Sequence, residues 1–197
     1  MMAVDSRADM SKFRAIVLIA VDDSEPAEFA FNWYRDFIHK PEYYTVLLHC
    51  TDQNDQEIRD ASSSTRRESN GSQGPGRTAK IIKEMSERMK RIEEKFGHLM
   101  EINGIVGKIR KGKGKPGEAI VKAANEEGAT MIVTGTRGLS KLKRAFLGSV
   151  SDYVVHNSPV PVITCRVISD LGLLNFPSFS KSKKCIFLFD VDKIVNE

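Results

Sequence analysis

Two glycine-bearing segments have the residue types and spacing to hold a polyphosphate: Gly135-Thr136-Arg137-Gly138 and, nine residues on, Gly148-Ser149. Glycine admits positive φ and lets backbone amides approach a ligand with no Cβ in the way. Successive amides of such a turn form an anion-binding concavity. Gly148-Ser149 stands where a helix is expected to begin, so unpaired amides and the helix dipole both favour negative charge there. Ser149 adds a hydroxyl donor. Two cradling elements at this separation suit a polyphosphate better than one small anion. Between them, Arg137, Lys141, Lys143 and Arg144 form an acid-free stretch, read either as a solvated surface or as cations suited to phosphate. No carboxylate or histidine falls within the two segments to orient a water, so strong hydrolysis is not expected, while slow turnover stays open.

Other motif matches lack their context. Gly112 to Gly117 spells GxGxxG between a strand and a helix, but the next strand ends Val133-Thr134-Gly135, with no carboxylate for a ribose. Gly107 to Lys113 reads GxxxxGK, yet Gly114 stands where a magnesium-binding Ser or Thr belongs. Phe189-Asp190-Val191-Asp192 lies eight residues from the end of the sequence, with no domain after it. Lys108, Arg110, Lys111, Lys113 and Lys115 make a basic cluster. It reads as a solvated sheet edge, with an acidic partner as the alternative. Arg66-Arg67-Glu68-Ser69 has the form of a basophilic kinase site, a pattern that also arises by chance. His49 and Cys50 read as core side chains with no catalytic role.

The elements that must position the glycines alternate strand and helix. Residues 14–21 (RAIVLIAV) form an unbroken, β-branched run suited to a strand covered on both faces. Ser24 can cap a following helix and Pro26 fits its first turn, with Ala27, Ala30, Phe31, Tyr34 and Phe37 or Ile38 on the apolar face. Thr45 to Cys50 is a second strand. Residues 51–77, rich in Ser, Arg, Asn and Gly, read as a long mobile loop. Ile81, Ile82, Met85, Met89, Ile92 and Phe96 form the apolar stripe of an amphipathic helix ending near Gly97, and Ile102 to Arg110 is a third strand. A helix opens at Pro116 and closes at Gly128, Met131 to Thr134 is a fourth strand, a short helix spans Ser149–Asn157, and Val160 to Val167 is a fifth strand. This order predicts an α/β fold with a five-stranded parallel, doubly wound sheet, whose ligands sit beyond the carboxyl ends of the strands where the winding reverses.

At 197 residues, 41% of them hydrophobic and 28% charged, the chain suits one globular domain. Its three cysteines, Cys50, Cys165 and Cys185, are scattered without a CxxC pair, which favours a reducing compartment. Ala15 to Val21 is too short to span a bilayer and ends in Asp22-Asp23, so neither a membrane helix nor a signal peptide is read and a cytoplasmic location is expected. A net charge of +4 is too mild to indicate a nucleic-acid binder.

The spacing Gly-x2-Gly-x9-Gly-Ser resembles the nucleotide-binding motif of the ATP-holding branch of the universal stress protein family. The likeness runs from IVLIAVDDSEPAEFA through TGTRGLSKLKRAFLGSVSDYVVHNSPVPVITCRV. It sets a domain over residues 12–167, with 1–11 as a flexible N-terminus and 168–197 as an extension. The resemblance implies a Rossmann-like, adenine nucleotide alpha hydrolase-like sheet of order 3-2-1-4-5. It places Asp22 at the ribose or adenine, with Ala20 and Val21 lining that wall and the backbone of Cys50 reading the base edge. Gly135, Thr136, Arg137, Gly138, Gly148, Ser149, Val150 and Ser151 would hold ribose and phosphates. ATP would carry any Mg2+ or Mn2+ on its phosphates, with AMP as an alternative ligand. One departure is Thr130, where the family often has Asp, at the opposite strand end. A homodimer through Val160 to Val167 is expected, because a final parallel strand leaves its outer edge unpaired. The function implied is an ATP-binding stress-response sensor or regulator. The alternatives are a scaffold or chaperone-like dimer with structural nucleotide, and a slow ATPase.

Overall fold

The run Ala15–Val21 becomes strand β1, with Val17, Leu18 and Ile19 wholly buried, as suits a strand with helices over both faces. The computed structural model describes residues 10–50, 75–136, 148–167 and 183–188. After β1 come helix α1 (Glu25–Phe37), strand β2 (Tyr43–Cys50), helix α2 (Pro75–Ile102), strand β3 (Gly107–Gly112) and helix α3 (Pro116–Glu127). Strand β4 (Met131–Thr136), helix α4 (Ser149–Asn157) and strands β5 (Val162–Val167) and β6 (Lys183–Leu188) follow. Local chemistry sets several boundaries. Ser24 Oγ accepts from the Ala27 amide at 3.4 Å to cap α1, and Gly128 takes the left-handed conformation, φ 61°, that ends α3.

The sheet runs β3-β2-β1-β4-β5-β6. Its first five strands are parallel, in the expected order 3-2-1-4-5. Successive side chains of β1 point to opposite faces. Val17, Ile19 and Val21 join Phe31 and Tyr34 of α1 and Ile92 and Phe96 of α2 in one core. Leu18 joins Val46, Leu48, Ile120 of α3 and Val154 of α4 in the other. The two cores hold the C-terminal ends of β1, β2 and β4 side by side.

Four expectations change. Helix α2 runs through Gly97 to Ile102. A mid-helix glycine costs about 0.5–1 kcal/mol, less than the roughly 1.5–3 kcal/mol gained by each of Ile92, Phe96 and Met100 buried around it. Strand β3 accordingly starts later, at Gly107, after a turn in which Gly104 has φ 63°. Pro75 to Thr78 begin α2, and residues 51–74 lie outside the described residues. The outer edge of β5, expected to receive a second copy, is occupied by antiparallel β6, with pairs from Val162–Leu188 to Val167–Lys183. Pairing with a twin through this edge therefore requires β6 to leave.

The glycines of the GxGxxG match have structural employment. A Cβ on Gly112 would press on Cys50 Sγ at 3.0 Å, one on Gly117 would strike the Tyr153 ring at 2.7 Å, and Gly114 has φ 94°. The basic cluster is largely neutralised in place. Lys108 pairs with Glu127 at 2.7 Å and Lys111 with Glu93 at 2.8 Å, while Arg110 spans Glu126 and Glu127. Burial opposes the charge of Glu127, but its hydrogen bonds to Lys108 and Arg110 win and hold its carboxyl below the usual range. A mostly paired sheet edge leaves little charge for an acidic partner.

Candidate functional site

Where β1, β2 and β4 end, a cleft of about 550 Å³ opens, lined at its centre by Ala20, Val21 and Asp22. Asp22 is held by the start of α1. Its Oδ1 accepts from the Ser24 amide at 3.0 Å and also from the Ser24 hydroxyl, which in turn caps the helix. Ser24 is thus the cap and Asp22 the group that orients it. Both bonds fall on Oδ1, which leaves Oδ2 without a partner among the described residues.

On the β4 side, Thr136 is buried, and its Oγ1 accepts from the Gly148 amide at 3.3 Å, tying the end of β4 to the start of α4. The Gly148 amide is therefore already engaged. The donors at the start of α4 are the amides of Ser149, Val150 and Ser151, because the first helical bond runs from Asp152 N to Gly148 O at 2.8 Å and no side chain caps this end. Ser149 and Val150 are exposed and Ser151 is buried, and all three line the cleft.

The two glycines here have different reasons to be glycine. A Cβ on Gly135 would lie 2.2 Å from the Pro26 carbonyl oxygen, so Gly135 lets the start of α1 pack on β4. Gly148 has φ −61° and ψ 148°, open to any residue, and an added Cβ would meet only Thr136 Oγ1 at 3.5 Å among the described residues. Nothing described in the protein requires glycine at 148, and the space its Cβ would take belongs to the cleft. Arg137 and Gly138, with Lys141, Lys143 and Arg144, lie outside the described residues.

On the β2 side, Cys50 lines the cleft, with its Sγ donating to the Pro116 carbonyl at 3.8 Å. The buried His49 ring bonds through Nδ1 to the Val21 carbonyl at 3.2 Å. The structure thus gathers Ala20, Val21, Asp22, Cys50, Gly135, Thr136, Gly148, Ser149, Val150 and Ser151 around one cavity. It adds His49 and, from α2, Met85, Arg88 and Met89, which the sequence reading had not placed there. Met85 and Met89 were legible only as part of an apolar stripe. The i, i+4 spacing says that they share a face, not that the face ends in a cleft.

Residues 14–166 match the model of the universal stress protein family. The universal stress protein MJ0577 of Methanocaldococcus jannaschii is 29% identical over 162 residues, covering 80% of this chain and 98% of the relative. The solved structure of MJ0577 superposes with a TM-score of 0.56 at 26% identity, over 79% of this chain and 98% of that one. A universal stress protein of Arabidopsis thaliana, solved with AMP bound, has a TM-score of 0.53 at 18% identity, over 77% of this chain and 91% of its own. At that identity the likeness is one of fold.

Proposed function

The chain belongs to the universal stress protein family, and on that premise we propose that it is an ATP-binding stress-response regulator whose nucleotide lies across the ends of β4, β1 and β2. The observation that carries this reading is Gly148. Nothing among the described residues needs a glycine there, yet it stands before three uncapped helix amides in a cleft of about 550 Å³. A phosphate seated on those amides would occupy the space a Cβ would fill. Neighbouring strands lie about 4.8 Å apart, so the ends of β4, β1 and β2 span about 10 Å. That reach suits phosphates at α4, a ribose at Asp22, and a base beside Cys50.

The family likeness extends this cradle to Arg137 and Gly138. Ser149 to Ser151 supply amides and hydroxyls but no base to activate water, which favours holding ATP over turning it over. A divalent cation would arrive on the phosphates, and among the described residues no cluster of His, Cys, Asp and Glu is fit to hold one. AMP fits the base and ribose positions with fewer phosphate contacts, and the Arabidopsis thaliana protein of this fold holds AMP. Among the described residues no helix is long and apolar enough to cross a membrane, in keeping with a cytoplasmic regulator. A dimer through β5 is proposed only for chains in which β6 has left its edge.

The deciding experiment identifies, by mass, any nucleotide that co-purifies with the protein, then titrates the emptied protein with ATP and AMP and follows phosphate release over hours. Tight ATP binding with little release supports the proposal. Absence of binding would overturn the proposal together with the scaffold that holds structural nucleotide, and steady release would make the protein an ATPase.

A further inference from the structure

Successive side chains of strand β2 point to opposite faces. Leu47 lies in the core under α1 and α2, and Leu48 in the core under α3 and α4. Alternation then sends His49 to the α1–α2 side, where it lines the cleft along with Met85, Arg88 and Met89 of α2. The His49 ring has a determined tautomer. Its Nδ1 lies 3.2 Å from the carbonyl oxygen of Val21, and a carbonyl only accepts, so Nδ1 carries the proton. In the neutral ring Nε2 is then a bare acceptor. No buried side-chain nitrogen or oxygen among the described residues lacks a partner, and Nε2 has none there, so it meets the open volume of the cleft.

The surroundings favour a flat aromatic ligand group. Thioethers make favourable contacts with aromatic rings, and a guanidinium stacks on them. Met85 and Met89 are half-buried, and Arg88 is exposed with no ion pair to a described residue. This end of the cleft lies across the sheet from the amides of α4, on the opposite face and two strands away. A ligand with phosphates at α4 therefore brings its base here.

We infer that His49 selects the base: Nε2 accepts a hydrogen bond from an exocyclic amine such as the 6-amino group of adenine, and disfavours a purine with a carbonyl oxygen in that place. The inference rests on the nucleotide-binding reading above. With hypoxanthine, two lone pairs face each other, and the unmet acceptors weaken binding by about 5- to 150-fold.

The test titrates the unaltered protein and its His49→Asn variant with ATP and with inosine triphosphate. The shorter amide can still donate to the Val21 carbonyl but leaves no acceptor at the Nε2 position. The preference for ATP should collapse toward parity in the variant, because ATP loses its acceptor and inosine triphosphate loses the opposed lone pair. His49→Gln, whose amide oxygen reaches that position, should restore part of it. An unchanged preference in His49→Asn overturns the inference and assigns selection to the β2 backbone. Should that variant fail to fold, the imidazole nitrogen resonances of the unaltered protein decide. The Nε2 signal must move with ATP and far less with inosine triphosphate, and a signal indifferent to both overturns the inference. If the unaltered protein binds both triphosphates equally, nucleotide binding stands and base selection by His49 falls. If it binds neither, both readings fall.

Discussion

Replacing Gly148 with alanine separates a ligand cradle from a mere turn. The backbone at 148, φ −61° and ψ 148°, is extended and open to any residue, and the new Cβ would rest 3.5 Å from Thr136 Oγ1, an ordinary contact. Alanine at a compatible position gains about 0.4–1 kcal/mol by restricting the unfolded chain. As a helix N-cap it is worse than glycine by an amount of the same order. The two nearly cancel, so the melting temperature should move by no more than about 2–4 °C. Binding should respond far more. The added methyl stands before the amides of Ser149 and Val150, and a phosphate pushed out of reach of one of them loses a charged hydrogen bond worth about 1.5–3 kcal/mol. That is roughly a 10- to 150-fold rise in the ATP dissociation constant, read by isothermal titration. Adenosine without phosphates should be unaffected. If Gly148→Ala binds ATP like the parent at equal stability, the start of α4 does not hold phosphate, and the argument from the unneeded glycine fails.

Asp22→Ala should weaken ATP and also destabilise the protein by about 0.5–2 kcal/mol, because the Ser24 cap of α1 loses the carboxylate that orients it; an unchanged denaturation midpoint would contradict this role. Tyr34, buried between Thr45 and His39, has its pKa pushed by burial from 10.0 up to about 12. As pH rises from 10 to 12 the unfolded chain sheds this proton while the folded one keeps it, so stability falls with pH by up to about 2–3 kcal/mol. Tyr34→Phe should remove that part of the slope in urea titrations at pH 10 and 11.5. Deleting residues 170–197 takes β6 from the edge of β5, and sedimentation at micromolar concentration should then show self-association greater than that of the full chain; a truncated chain that sediments as a monomer would refute the capping role.

Much of this architecture is local, and so it was legible in the sequence. The unbroken β-branched run Ala15–Val21 could only be a strand buried on both faces, and Ser24-Glu25-Pro26 marked the start of α1 with its own capping chemistry. The alternation of such segments sufficed for a parallel, doubly wound sheet, the family resemblance supplied its strand order, and glycine spacing pointed to the end of the sheet that carries the cleft. Tertiary structure decided which glycine serves what. Gly135 and Gly148 look equivalent in sequence, yet one is required by the Pro26 carbonyl 2.2 Å from its missing Cβ and the other by nothing described in the chain. It also decided that the cations near residue 110 meet Glu126 and Glu127, and that the edge of β5 is covered by a strand from beyond the family domain. Met85, Arg88 and Met89 reach the cleft only because α2 packs over the end of β2. Periodicity reports that a side chain is buried or exposed, since that is a property of one element. Which partner it meets is set by residues distant in the chain, and only packing brings those together.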